Sequence, residues 1–294
     1  MRLFNFYSTD DAIHLGLVDG DRVLDLTAAG GGRKELASVT AWLRGGSPAR
    51  QEAERLLGEW RSGPRAGLAL ATLRHAPLIA RDSRIVCVGL NYADHAAEAG
   101  LPLPAAPIFF SKLASVVIPH GAAIPLPAVG DLVDYEAEMA FVLGTSADRV
   151  GEEEAAACIA GYTIMNDVTA RDLQRADQQW FRSKNCNGFA PMGPWLVTAD
   201  EIADPANLEI TLRLNGEVRQ HSNTRQLVFP PAVLVSRLSQ TLALEAGDVI
   251  STGTPAGIGA KQNPPSFLKE GDRVEIDVAG IGVLQNPVGA RGQA

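Results

Sequence analysis

Residues 133–144 read Val-Asp-Tyr-Glu-Ala-Glu-Met-Ala-Phe-Val-Leu-Gly. The stretch is short, rich in β-branched and aromatic residues, and bounded by turn signals, which predicts a strand. From Met139 onward both faces are apolar, so the strand is expected to be buried on both sides. Asp134, Glu136 and Glu138 nevertheless alternate along its first half. Side chains at i and i+2 share a face, with Cα atoms about 7 Å apart. A solvated acidic face is the ordinary reading of such a pattern; the apolar flank argues for burial. Like charges in a low-dielectric place repel and resist ionisation, so a buried cluster needs compensation. A hard divalent cation with oxygen ligands is the simplest source, and it needs a further carboxylate from elsewhere.

Asp167, at the end of the apolar segment 161–166, offers that carboxylate; its alternative role is to cap a turn. Thr169 is expected to N-cap the helix that follows. On that helix Arg171 and Gln174 are three apart and share a face. Arginine grips a carboxylate through two hydrogen bonds, either a substrate's or that of Asp172 or Asp177. In residues 88–100, VGLNYADHAAEAG, a strand ending at Gly89 leads into a short helix with His95 and Glu98 three apart. A carboxylate orients a histidine and raises its basicity, which suits a general base for water; a surface pair is the alternative. Lys184, just ahead of an Asn-Gly turn, has the chemistry to stabilise a developing negative charge. The loop STGTPAGIG (251–259) lacks the Gly-Lys-Ser/Thr of a phosphate-binding loop. Its N–H groups and Thr254 are suited to holding a carboxylate, or the loop is a tight turn. Cys186 has no base beside it in sequence, which disfavours a nucleophilic thiol.

These residues need a scaffold. The chain has 294 residues, 46% hydrophobic and 20% charged, enough for one large domain or one plus a small one. A net charge of −8 excludes a general nucleic-acid surface. No apolar run approaches the roughly 20 residues that span a bilayer, and the start MRLFNFYSTDD lacks the apolar core of a signal peptide. Cys87, Cys158 and Cys186 form no CxxC pair, so neither a zinc site nor a disulfide framework is indicated and a reducing cytoplasm is expected. Asp19-Gly20-Asp21 and Asn215-Gly216 signal hairpins. Residues 35–61 carry two helical patterns split at 45–49. Strands are expected at 85–90, 107–111, 116–118, 135–143, 161–166, 193–198, 208–214, 248–252 and 273–277, and helices at 151–159, 169–181 and 230–240. Strands outnumber helices without alternating with them, which argues against a doubly wound fold. A boundary near residue 78 divides a small N-terminal domain (1–78) from a catalytic body (79–294), and the tail 289–294 is expected to fray.

The segments GLNYADHAAE, DYEAEMAFVLG, GYTIMNDVTARDLQ, GFAPMGPWLVT and GDVISTGTPAGIG, in this order and spacing, resemble the fumarylacetoacetate hydrolase family. The resemblance spans residues 80–290, and the hairpin-rich start is similar to the family's small N-terminal domain. It implies an α+β, predominantly β fold: a mixed β-sandwich roll with a small N-terminal α+β domain, assembled as a homodimer. It implies Mg²⁺ or Mn²⁺ held by Glu136, Glu138 and Asp167. It assigns His95 and Glu98 to a catalytic pair on a lid, Lys184 to the pocket lysine, and Arg171, Gln174 and Thr254 to substrate contacts. Asp134 is not a ligand by this mapping. One departure is KNCNGF (184–189): Asn185 and Asn187 stand where relatives carry Ser and Asp, which removes a charge expected near Lys184 and bears on the substrate.

The expected activity is metal-dependent hydrolysis of a C–C bond in an acylpyruvate-like 2,4-dioxo acid, with His95 activating water and pyruvate released. Decarboxylation of an oxaloacetate-like acid, isomerisation of a 2-hydroxy-dienoate and hydration of a 2-oxo-pentenoate are alternatives on the same site. The partner is a small 2-oxo or 2,4-dioxo acid, with no nucleic acid and no membrane. The pocket for its distal group is expected to draw on the 100–106 loop and the N-terminal domain.

Overall fold

The computed structural model describes residues 1–64 and 67–292. Strands dominate and the sheets are mixed and open, so the fold is of the α+β, predominantly β class. Among the described residues the larger sheet has 12 strands. At its centre Ala137–Leu143 lies between Ile159–Asn166 and Val249–Ser251, antiparallel to both. Beyond Val249–Ser251 come the parallel strand Ile85–Gly89 and the edge strand Ile108–Lys112. On the other side Ala190–Thr198 follows, and its neighbour is the N-terminal strand Arg2–Tyr7. Ile13–Asp19 and Arg22–Asp25 continue the sheet through the expected hairpin, with Gly20 in the left-handed region that glycine tolerates (φ 68°). The sheet therefore runs unbroken across the boundary placed near residue 78.

The double-sided burial of the acidic strand follows from period 2. Met139, Phe141 and Leu143 enter one core with Ile210, Leu212, Val274 and Ile276 of a second, five-stranded sheet. Ala140 and Val142 enter another with Val39, Trp42, Leu43 and Leu56 of the helix Val39–Ser62. That helix breaks at Gly46 (φ 58°, ψ −146°), two residues before Pro48, within the expected split.

Two expectations give way. Thr169 is not a helix cap: it pairs with Asp134 in a short two-stranded ladder, and its hydroxyl donates to the Asp167 carbonyl. The helix Arg171–Asp177 begins after Ala170 with no side-chain cap. Ladder pairing here outcompetes the capping preference. The tail does not fray over 289–291, because the strand Gly282–Arg291 pairs in parallel with Ile124–Leu126; Gln293 and Ala294 lie outside the described residues.

Candidate active site

The register of the central strands assembles the acidic cluster. Ala137 pairs with Asn166 and Glu138 with Met165, and the Asp167 N–H donates to the Glu136 carbonyl at 2.9 Å. Asn166 turns its side-chain oxygen to the Glu136 N–H at 3.0 Å, filling the ladder where the strand bends. Glu136, Glu138 and Asp167 thereby each present one oxygen within 4.8 Å of the others, all three buried.

Compensation comes first from the chain itself. Lys184 Nζ lies 2.6 Å from both Glu136 Oε2 and Asp167 Oδ2. Lys112, its side chain wholly buried, donates to Asp167 Oδ1 at 2.7 Å and to the Val168 carbonyl at 3.2 Å. Arg171 donates through Nε to Asp134 at 2.8 Å, through Nη2 to Glu136 at 2.5 Å and through Nη1 to Gln174 at 3.1 Å. Arg171 is thus committed to Asp134 and Glu136, not to Asp172 or Asp177. Burial alone would raise Glu136, yet Lys184 and Arg171 outweigh it and hold the carboxyl well below the usual range. Asp134 is neither solvated nor a member of the triad. It clamps Arg171 to the glycine-rich loop by accepting from the Gly259 and Ala260 N–H groups at 2.7 and 3.1 Å. A Cβ on Gly259 would fall 2.0 Å from the Ser266 carbonyl and 2.5 Å from Asp134 Oδ1, so only glycine fits there.

Glu138 is different. It accepts from Ser251 Oγ at 2.5 Å and from the Gly253 N–H at 3.1 Å, and no cation pairs with it among the described residues. Burial, with Asp167 and Glu136 close by, pushes its carboxyl well above the usual range. An all-oxygen, buried, acid-excess cluster of this kind fits a hard divalent cation, which would meet the charge that Lys112, Arg171 and Lys184 leave over. Glu136, Glu138 and Asp167 would hold it.

A cavity of about 300 Å³ opens on this cluster. It is lined by all nine residues singled out in sequence except Glu98, with Leu101, Ile108, Phe110, Trp180 and Lys261 among the others. Residues 1–78 contribute none of the lining; only the Leu101 part of the distal-pocket expectation holds. A larger groove of about 460 Å³ beside it, along Ile108–Ser111 and Gln178–Phe181, carries no titratable side chain, so the chemistry belongs to the smaller one. The helix Ala93–Ala99 borders the cavity through His95 and Ala99. Its Asp94 accepts from Ser222 Oγ at 2.5 Å, and Glu98 accepts from the Gly257 N–H at 2.9 Å. The other Glu98 oxygen lies 3.3 Å from His95 Nδ1. Thr254 accepts at Oγ1 from Gln220 Nε2 at 2.9 Å, and Gln220 Oε1 takes the Ala137 N–H at 2.9 Å.

Asn185 and Asn187 do not line the cavity. Asn185 instead ties the edge strand to the turn before Lys184, accepting from the Leu113 N–H at 2.6 Å and donating to the Phe181 carbonyl at 2.8 Å. The hydrogen bonds of Lys184 go to Glu136 and Asp167, not to either asparagine. Cys186 also lies off the cavity, and burial raises its thiol above the ordinary value. Lys112, Gln220, Ser251 and Asp94 escaped sequence reasoning. A lysine closing the apolar run Ile-Phe-Phe-Ser-Lys was the one legible signal among them.

The family model described as fumarylacetoacetate (FAA) hydrolase C-terminal matches residues 84–289. The oxaloacetate tautomerase fahd2, mitochondrial, of Xenopus laevis is 39% identical over 293 residues, covering 98% of this chain and 90% of that protein. The crystal structure of 2-hydroxyhepta-2,4-diene-1,7-dioate isomerase from Mycobacterium marinum aligns with a TM-score of 0.76 at 32% identity, covering 100% of both chains. Maleylpyruvate hydrolase from Sphingobium sp. SYK-6, solved with manganese(II) and pyruvate, aligns with a TM-score of 0.79 at 28% identity, covering 99% of this chain and 100% of that one. Among the described residues no helix is long and apolar enough to cross a membrane. The Xenopus relative is named as mitochondrial, so a cytoplasmic location is not a shared property of these proteins.

Proposed function

This chain belongs to the fumarylacetoacetate hydrolase family, a family of enzymes, and on that premise we propose that it moves a proton at the carbon beside the oxo group of a small 2-oxo acid. Keto–enol tautomerisation of an oxaloacetate-like acid is the favoured reaction, ahead of the C–C hydrolysis expected from sequence. One arrangement carries the reading: Lys184, fixed 2.6 Å from both Glu136 and Asp167, lines the same cavity as His95 beside a buried three-carboxylate cluster. Glu136, Glu138 and Asp167 would hold Mg²⁺ or Mn²⁺, which would supply Lewis-acid polarisation of the 2-oxo acid. Lys184 donates toward the oxygen on which charge develops as the proton leaves. His95, oriented by Glu98, takes the proton from C3 and delivers it to the enolate oxygen to give the enol, and the reverse path carries it back to C3. Gln174 and Thr254 orient the acid, and Arg171 holds the wall of the pocket through its bonds to Asp134 and Glu136. The lid helix excludes water that would otherwise compete for the proton.

The full-length likeness to a protein named as a tautomerase supports the favoured reaction. Hydrolysis of an acylpyruvate-like 2,4-dioxo acid is the second reading, supported by the His95–Glu98 pair, which suits water activation, and by the structure solved with manganese and pyruvate. The separating assay follows decay of enol-oxaloacetate absorbance and, in parallel, pyruvate release from acetylpyruvate, each with Mn²⁺ and then chelator. Metal-dependent enol decay without pyruvate release is the expected result. Pyruvate release alone would reverse the order of the readings, and silence in both arms would remove both.

A further inference from the structure

We propose that Lys261 selects substrates that carry a second anionic group at the end remote from the 2-oxo acid; this rests on the function proposed above. Three cations line the cavity: Arg171, Lys184 and Lys261. Arg171 is spent on Asp134, Glu136 and Gln174, and Lys184 on Glu136 and Asp167. Lys261 has no ion pair with any described residue.

Charge balance says what it is for. Asp134, Glu136, Glu138 and Asp167 carry four negative charges against three positive ones on Lys112, Arg171 and Lys184. A dication and the carboxylate of one 2-oxo acid bring that sum to zero. A second carboxylate therefore finds no spare charge at the cluster. The wall leading away from the cluster is apolar, built of Leu101, Ile108, Phe110 and Trp180, and offers no cation either. Lys261 is the one uncommitted cation on the lining.

Its backbone is held in place although its side chain is exposed. The turn Gly259–Lys261 is pinned by Asp134 through the Gly259 and Ala260 N–H groups, and the Lys261 N–H donates to the Ile258 carbonyl at 2.9 Å. The amine thus works from a fixed root on the cavity lining, with three rotatable donors on a flexible stem.

Two non-enolisable acids make the test, because they share the oxamate core and differ by one carboxymethyl group: oxamate without it, and N-oxalylglycine with it. Calorimetric Kd values are measured with Mn²⁺ present for the wild-type protein, Lys261→Gln and Lys261→Arg. Wild type is expected to favour N-oxalylglycine about tenfold, as one charge-assisted hydrogen bond at a partly exposed site supplies. Lys261→Gln should erase the preference and Lys261→Arg keep it. The same ratio is then read in kcat/KM for C3 deuterium exchange of oxaloacetate against 2-oxobutyrate, which should fall about tenfold in Lys261→Gln. Oxamate binding without any preference for the diacid, or a preference that survives Lys261→Gln, overturns this proposal alone. Failure of both acids to bind overturns the reading of the site, and this proposal with it.

Discussion

Replacing Glu138 by Gln should raise the stability of the metal-free protein while removing its response to metal. Glu138 is the triad carboxylate with no cationic partner among the described residues, and one of its oxygens lies within 4.8 Å of one oxygen each of Glu136 and Asp167. At an effective dielectric of about 20, like charges about 5 Å apart repel by about 3 kcal/mol. Lys184, between the other two carboxylates, offsets much of this, leaving a relief of about 2–3 kcal/mol on neutralisation. The amide oxygen of Gln keeps the bonds from Ser251 and Gly253 as neutral ones, at a cost of about 1 kcal/mol. The balance is a gain of about 1–2 kcal/mol, or about 2–4 °C in Tm for a chain of this size. Wild-type protein at a Mn²⁺ concentration of about 100 Kd should gain about 2.7 kcal/mol, and Glu138→Gln little of it. Thermal melts of both proteins, with chelator and with Mn²⁺, make the comparison. A metal-free Glu138→Gln protein that melts below wild type, or a full metal-induced rise in that variant, would refute the charge accounting.

Other outcomes follow from the same geometry. His95→Gln should lower kcat by about 10²–10⁴-fold while leaving the Mn²⁺-induced rise in Tm intact, because His95 faces the cavity from the lid and is no part of the triad; steady-state kinetics beside a melt reads both. Gly259→Ala should destabilise the protein by about 2 kcal/mol or more in a urea titration, since its Cβ collides with the Ser266 carbonyl and Asp134. Burial, with His120 beside it, lowers His75 from 6.5 to about 4. The unfolded chain binds that proton first, so stability present above pH 6.5 is lost as pH falls toward 4, by about 3 kcal/mol. His75→Gln should flatten this acid slope in urea titrations at stepped pH, and an unchanged slope would assign the loss to other groups.

Much of this protein is legible in its sequence because local pattern encodes local structure. The alternation of Met139 to Leu143 declares a strand with two buried faces, and the central sheet buries both. Gly20 and the Asn215-Gly216 pair mark turns that only a positive φ can make, and each carries one. His95 and Glu98 meet because three residues make most of a helical turn. By contrast, nothing local says which cations meet the acidic strand. Lys112, Arg171 and Lys184 reach it from an edge strand, a helix start and a short helical turn, and their convergence depends on strand order and register. The same holds for Asp134, which the sequence left beside the ligands or in solvent, and which its pairing with Thr169 turns onto Arg171 and the Gly259 turn. Burial of a charge is a property of one segment and shows in hydrophobic periodicity. Compensation of that charge is a property of segments far apart along the chain, so the tertiary structure decided that Glu138 alone in the triad has no cationic partner among the described residues.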